Sequence, residues 1–180
     1  MTGPPIALSG PPGSGKSTAG RRAAELLDLE FVSAGALFRA EAARRGLDLA
    51  EFSRLAESDP RIDRALDDEV LARLAPGRLV EGRLVGLLGR RRGIPLLYVR
   101  VTAPEEVRVA RIAQRDHQEL ARARALTRER EASERARYRR YYDLDLDDEA
   151  PDLSVDSATL PAEEVARAIA RFARGRGEFP

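Results

Sequence analysis

Residues 10–17, Gly10-Pro11-Pro12-Gly13-Ser14-Gly15-Lys16-Ser17, fit the pattern G-x-x-x-x-G-K-[ST]. They stand between a short apolar run, Ile6-Ala7-Leu8, and a stretch from Ser17 to Leu27 whose Ala19, Ala23, Leu26 and Leu27 share one helical face. That strand–loop–helix order constrains the fold more than any other feature. Glycines let consecutive backbone N–H groups wrap around an anion, and the helix behind them directs its positive dipole end to the same point. Lys16 is the only lysine in a chain with 31 Lys plus Arg. It stands where a compact charge on a long stem is needed and a planar guanidinium fits poorly. Residues Gly10 to Thr18 are therefore the candidate cradle for the phosphates of ATP. Lys16 would reach the β and γ phosphates, and the Ser17 hydroxyl would ligate Mg²⁺.

The rest of the chain has an alternating plan. Short apolar runs at 30–32, 78–81, 96–101 and 153–156 read as strands, and amphipathic stretches between them read as helices. This order predicts an α/β three-layer fold with a five-stranded parallel sheet. Thr102, Pro104, Glu105 and Glu106 look like a helix start with a Thr cap, and that helix is expected to run to about Arg115. Between Gly46 and Pro76 apolar residues recur only at helical spacing, with a break at Asp59-Pro60, so a helical insertion is expected there. The segment 116–128 is highly charged and is expected to be mobile. Arg90-Arg91-Arg92 reads as a solvated loop, the acids of 143–152 as a solvated turn, and Tyr138, Tyr141 and Tyr142 as packing residues.

Composition narrows the function classes. The 180 residues suffice for one domain with a real core. Cys is absent and His117 is the single histidine, so disulfides, thiolate sites, His-based metal centres and Ser/His/Asp triads lack material. A formal net charge of +1 makes no electrostatic case for a nucleic-acid or membrane partner. Asn is absent, which excludes the Asn-Lys-x-Asp guanine reader. No apolar run reaches the length of a membrane span and no signal peptide is evident. The expectation is a soluble, cytoplasmic, monomeric enzyme working on small molecules.

Beyond the loop, the chain resembles the nucleoside monophosphate kinases, and most closely the short archaeal-type cytidylate kinases, over nearly its whole length. Ser33-Ala34-Gly35-Ala36-Leu37-Phe38-Arg39 resembles the family segment after strand two, whose Arg binds the acceptor phosphate. Asp59-Pro60-Arg61-Ile62-Asp63 and Asp67 resemble part of the acceptor-binding insertion. Val80-Glu81-Gly82-Arg83-Leu84 resembles the third-strand motif, which makes Arg83 a second acceptor clamp and gives Glu81 the magnesium-bound water. Arg111 and Arg115 resemble the lid arginines, and Arg130, Glu134 and Arg137 match the Arg-x-x-x-Asp-x-x-Arg pattern with Glu in place of Asp. Asp156-Ser157 ends the last strand, on the adenine side. Ala36 and Glu69 are further departures.

The resemblance implies a core of residues 1–35, 78–110 and 138–180, an acceptor insertion at 36–77 and a lid at 111–137. It implies Mg-dependent transfer of the ATP γ-phosphate to CMP or dCMP. Asp63, Glu134 and Arg137 join Arg39 and Arg83 as acceptor-binding candidates. An adenylate or uridylate kinase is the nearest alternative, and a non-catalytic ATP-dependent switch is the alternative from another class. A shikimate-type kinase is disfavoured because no Asp-x-Asp follows strand two.

Overall fold

A computed structural model describes residues 3–148, 150–177 and 179; residues 1, 2, 149, 178 and 180, which the sequence reading gave to the core and the acidic run, lie outside it. Five strands, β1 (Ile6–Ser9), β2 (Glu30–Ser33), β3 (Arg78–Glu81), β4 (Leu97–Thr102) and β5 (Leu153–Asp156), form one sheet in the order β2-β3-β1-β4-β5. Every pairing is parallel, with Leu8 of the central β1 opposite Glu81 on one side and Val99 on the other. The helices are α1 (Lys16–Leu26), α2 (Ala34–Arg44), α3 (Leu49–Ser58), α4 (Pro60–Ala72), α5 (Val85–Arg91), α6 (Glu105–Arg115), α7 (Leu120–Tyr142) and α8 (Ala162–Arg174).

The alternation of side chains along β1 builds both faces of the core. Ile6 and Leu8 point to one face, where Ala19 and Ala23 of α1, Leu27 at its C-cap, and Val165 and Ile169 of α8 close over them. Ala7 points to the other face, among Val70, Leu71, Val85, Leu88 and Tyr98. Burial of this kind contributes roughly 1.5–3 kcal/mol per large apolar side chain. The chain leaves β1 toward β2 and β3 on one side and reaches β4 and β5 on the other. A crevice therefore opens at the carboxyl ends of the strands beside β1, where doubly wound sheets hold their ligands. The glycine-rich loop, Glu81 and Asp156 all sit at that edge.

Two expectations are corrected, and one segment gains an element that the sequence pattern did not show. The segment 116–128, expected to be mobile, is helical from Leu120 onward as the start of α7. Its buried contacts are small: Ala123 packs with Val109 and Ala113 of α6, and Thr127 is buried as well. Residues of that size allow close helix packing while leaving little hydrophobic signal in the sequence. Thr102 is the last residue of β4 and does not cap α6, whose N-cap is Pro104. Arg90 and Arg91 end a helix, α5, which the sequence reading left out. Arg90 is bound to Asp152 and the Ala150 carbonyl, Arg91 to the Tyr142 carbonyl and Arg92 to Asp68, so the three arginines bolt neighbouring segments together. Asp145 and Asp147 of the acidic run pair with arginines of α7. Tyr141 is buried, and Tyr138 and Tyr142 pack on the second core cluster, as expected. Among the described residues, no helix is long and apolar enough to cross a membrane, and no three His, Cys, Asp or Glu side chains converge as a metal cluster.

Candidate active site

The phosphate loop is held in a shape that only glycine permits at two points. Gly10 has φ +152° and a Cβ there would lie 2.2 Å from the Val101 carbonyl oxygen. Gly13 has φ +79° and a Cβ would lie 2.5 Å from the Arg108 carbonyl oxygen. Gly15 is the N-cap of α1, whose first turn carries no acid. Backbone donors and the helix dipole at this point suit an anion, and the helix's own first turn adds no carboxylate to compete with it. Ser17 and Thr18 are exposed at the start of the helix, while the Ser14 hydroxyl is buried without a hydrogen-bond partner among the described residues. The loop fits a polyphosphate: backbone donors, a helix start, one lysine and three hydroxyl residues.

Lys16 Nζ lies 3.5 Å from Glu81 Oε1, and both side chains are largely buried. Glu81 accepts a hydrogen bond from Ser33 Oγ at 2.7 Å. Ser33 also caps α2 by accepting from Ala36 N at 3.3 Å. The ends of β2 and β3 are thereby locked beside the loop. Burial pushes the Lys16 ammonium below its ordinary pKa, with the Glu81 charge opposing the shift. Arg130, Glu134 and Arg83 also act on Lys16 through their charges, which ties the loop to a second cluster.

In that cluster Glu134 is buried on α7. Its carboxylate accepts from Arg130 Nε at 2.8 Å and lies 3.4 Å from Arg83 Nε. Arg137 Nη1 donates to Asp63 at 2.5 Å, joining α7 to the helical insertion. Among the described residues, Arg83 Nε and Nη1, Arg137 Nε and Glu134 Oε2 are buried without hydrogen-bond partners. Buried polar atoms are nearly always paired, so a group of guanidinium donors left over at one place fits an anionic ligand. Tyr142 Oη donates to Asp67 at 2.5 Å. Burial pushes the Asp67 carboxyl up to about 6, and burial likewise raises Asp63 against the pull of Arg137.

Lys16, Glu81, Arg83, Arg130, Glu134, Arg137 and Asp63 thus form one connected set. Arg111 sits beside Gly15, but its guanidinium donates to the Ser157 hydroxyl at 2.9 Å and the Ser157 carbonyl at 2.6 Å. Arg39 is exposed, folds back over Gly35 and has no ion-pair partner among the described residues. Arg115 stands apart from the set: it is exposed and paired with the adjacent Asp116. Sequence reasoning passed over Arg108, which is buried and donates to the Pro12 carbonyl at 3.0 Å. An arginine on the apolar face of a helix, one position before the buried Val109, was the available signal.

The family profile described as an AAA domain matches residues 9–139. A cytidylate kinase from Aeropyrum pernix is 47% identical over 172 residues, covering 94% of this chain and 99% of the relative. One from Archaeoglobus fulgidus is 40% identical, covering 91% of each, and one from Halobacterium salinarum is 46% identical, covering 85% and 80%. Among solved structures, a shikimate kinase from Acinetobacter baumannii superposes with a TM-score of 0.60 at 19% identity, covering 96% of this chain and 93% of that one. A gluconokinase from Sinorhizobium meliloti gives 0.60 at 20% identity, covering 96% and 94%. At those identities the structural likeness speaks for the fold alone.

Proposed function

This chain belongs to the AAA domain family and, within it, to the cytidylate kinases; it carries the γ-phosphoryl group of ATP to CMP, and we propose that it does so by clamping two phosphates between the loop at 10–18 and the arginines at 39, 83, 130 and 137. The observation that carries this division of labour is the set of unpaired buried nitrogens on Arg83 and Arg137, placed in a cluster whose charges act on Lys16. A molecule that only senses ATP has no use for a second anion site.

In this reading, Gly10 to Thr18 hold the ATP phosphates and Lys16 neutralises charge between the β and γ groups. Arg39 and Arg83 hold the acceptor phosphate, Arg137 closes over the transferring group, and Asp63 and Glu134 complete the acceptor site. An acceptor phosphate oxygen bonds to the γ-phosphorus while the bond to the β–γ bridging oxygen breaks, releasing ADP. The acceptor phosphate is already largely ionised at neutral pH, so no general base is required. The work of the protein is positioning and charge neutralisation. Mg²⁺ would be held by Ser17, with Glu81 orienting its bound water, and would neutralise the donor phosphates when bound. Arg111, Arg115 and Arg130 would close with the lid at 111–137 over the insertion at 36–77, excluding water as a competing acceptor. The reading includes dCMP as an acceptor, a cytoplasmic location where ATP and monophosphates occur, and a monomer.

A coupled ADP-release assay with ATP, Mg²⁺ and CMP, dCMP, UMP, AMP or GMP tests the assignment. Preferential turnover of CMP and dCMP is expected. Faster turnover of AMP overturns the base assignment, and ATP binding without any acceptor-dependent turnover overturns the kinase reading.

A further inference from the structure

A phosphate loop can aim its N–H groups at an anion only if its carbonyls point away, and carbonyls turned into the protein need donors. Here each carbonyl with a known partner is held from behind. Pro11 O accepts from Ser14 N, and Gly15 O accepts from Ala19 N. Ser14 O accepts from the Ser157 hydroxyl at 2.7 Å. Pro12 O accepts from Arg108 Nη1 at 3.0 Å. The first two bonds are local and the third comes from the end of β5.

The bond from Arg108 differs, because the same nitrogen is shared with another element. Arg108 Nη1 also pairs with Glu131 of α7 at 2.5 Å, while Nε donates to the Ala103 carbonyl at 3.1 Å. The arginine is only 7% exposed. Its own backbone presses against the loop at Gly13, where no Cβ would fit. Glu131 lies one residue after Arg130 on the helix that also carries Glu134 and Arg137.

We propose that Arg108 is a positioning residue that holds the phosphate loop in its anion-binding shape and, through Glu131, makes that shape depend on where α7 lies. Movement of α7 that draws Glu131 away removes the carboxylate paired with the guanidinium, leaves it only the more distant charge of Glu105, and frees it to turn from Pro12. Placement of Glu131 sets the guanidinium, and with it the loop. ATP affinity is then coupled to the helix that carries the acceptor-side groups, without Arg108 touching either nucleotide. The inference rests on the reading of 10–18 as the ATP loop.

The test is a double-mutant cycle on Glu131→Gln and Arg108→Lys, read by calorimetric ATP binding without acceptor, by KM for ATP and for CMP, and by thermal unfolding. Gln keeps the shape of the side chain but not its charge; Lys keeps charge but has one nitrogen where Arg108 uses two. ATP binding should weaken roughly tenfold in Arg108→Lys and several-fold in Glu131→Gln, the loss of one charge-assisted bond. KM for CMP should stay within about twofold, since the acceptor groups are untouched. Adding Glu131→Gln to Arg108→Lys should weaken ATP binding no further. Lower unfolding temperatures with wild-type ATP affinity in both variants would reduce Arg108 to a structural bolt and overturn the proposal, as would strictly additive effects. If Arg108→Lys does not fold, an unchanged ATP affinity in Glu131→Gln alone overturns the coupling. Absence of CMP turnover in the wild type would overturn the reaction assigned above, while the ATP-binding cycle would still decide this inference.

Discussion

Arg83 Nε faces Glu134 Oε2 at 3.4 Å, within ion-pair range, yet neither atom forms a hydrogen bond among the described residues. The carboxylate balances Arg83 and, through its other oxygen, Arg130. It offers the clamp a counter-charge without filling the donor positions of Arg83. Removing it by Glu134→Gln leaves a buried guanidinium uncompensated, at a cost of about 3 kcal/mol or more. The unliganded variant should therefore unfold several degrees below wild type. Inorganic phosphate or CMP should restore more of that loss than they add to the wild type, because an anion then replaces the missing charge. Thermal unfolding with and without each ligand measures both terms; an equal ligand-induced gain in the two proteins would show that Glu134 and the acceptor phosphate do not share a site.

Arg39 tests the acceptor side alone. It is exposed and has no ion-pair partner among the described residues, so Arg39→Ala should leave the unfolding temperature within the range of ordinary surface changes. KM for CMP should rise at least about tenfold, the loss of one charge-assisted phosphate contact, with KM for ATP little changed. Steady-state kinetics with each substrate varied in turn checks this, and an unchanged KM and kcat for CMP would make Arg39 a plain surface residue.

Glu81 tests the donor side. Glu81→Gln keeps an oxygen for the Ser33 hydroxyl but removes the charge facing Lys16. Burial already depresses the Lys16 pKa, and the variant loses the strongest opposing influence, so the ammonium is depressed further. The expected result is a kcat lower by about 10²-fold and a higher Mg²⁺ requirement. A Mg²⁺ titration of kcat measures it; an unshifted requirement would remove Glu81 from the metal site.

Asp67 predicts a stability change with pH. Its carboxyl is raised from 3.8 to about 6, chiefly by burial. A raised carboxyl pKa means that the folded state binds the proton more tightly than the unfolded chain. Its contribution is full below about pH 4, falls as pH rises, and is gone above about pH 6. Asp67→Asn cannot ionise and still accepts from the Tyr142 hydroxyl. The variant should match wild type near pH 4 and exceed it by about 2–3 kcal/mol at pH 8. Denaturant unfolding of the unliganded protein across this range gives the difference, and a pH-independent difference would exclude Asp67 as the titrating group.

The strand–loop–helix at the N-terminus is legible because its information is local. The spacing of Gly10, Gly13, Gly15 and Lys16 dictates backbone shape over eight residues, and no distant element has to be placed first. The runs at 78–81 and 153–156 coincide with β3 and β5 for the same reason: period and hydrophobicity within a few residues suffice. What failed was also physical. The first half of α7 is held by Ala123 against Val109 and Ala113 of α6, a contact too small to show in a hydrophobic pattern.

Arg111 and Arg115 show the boundary. They lie four residues apart on one helix, and the sequence gives no reason to separate them. Packing turns Arg111 to Ser157 behind the phosphate loop and leaves Arg115 on Asp116 at the exposed end of α6. Asp63 and Arg137 meet across 74 residues of chain, and Arg108 reaches Pro12 across 96. A polyphosphate loop, a parallel sheet and a supply of arginines can be read along the chain, because they follow from short-range geometry and composition. Which arginines face one another, and which carboxylates balance them, is settled by packing in three dimensions. A buried charge is tolerable solely where folding brings a partner to it, and no spacing along the chain encodes that distance.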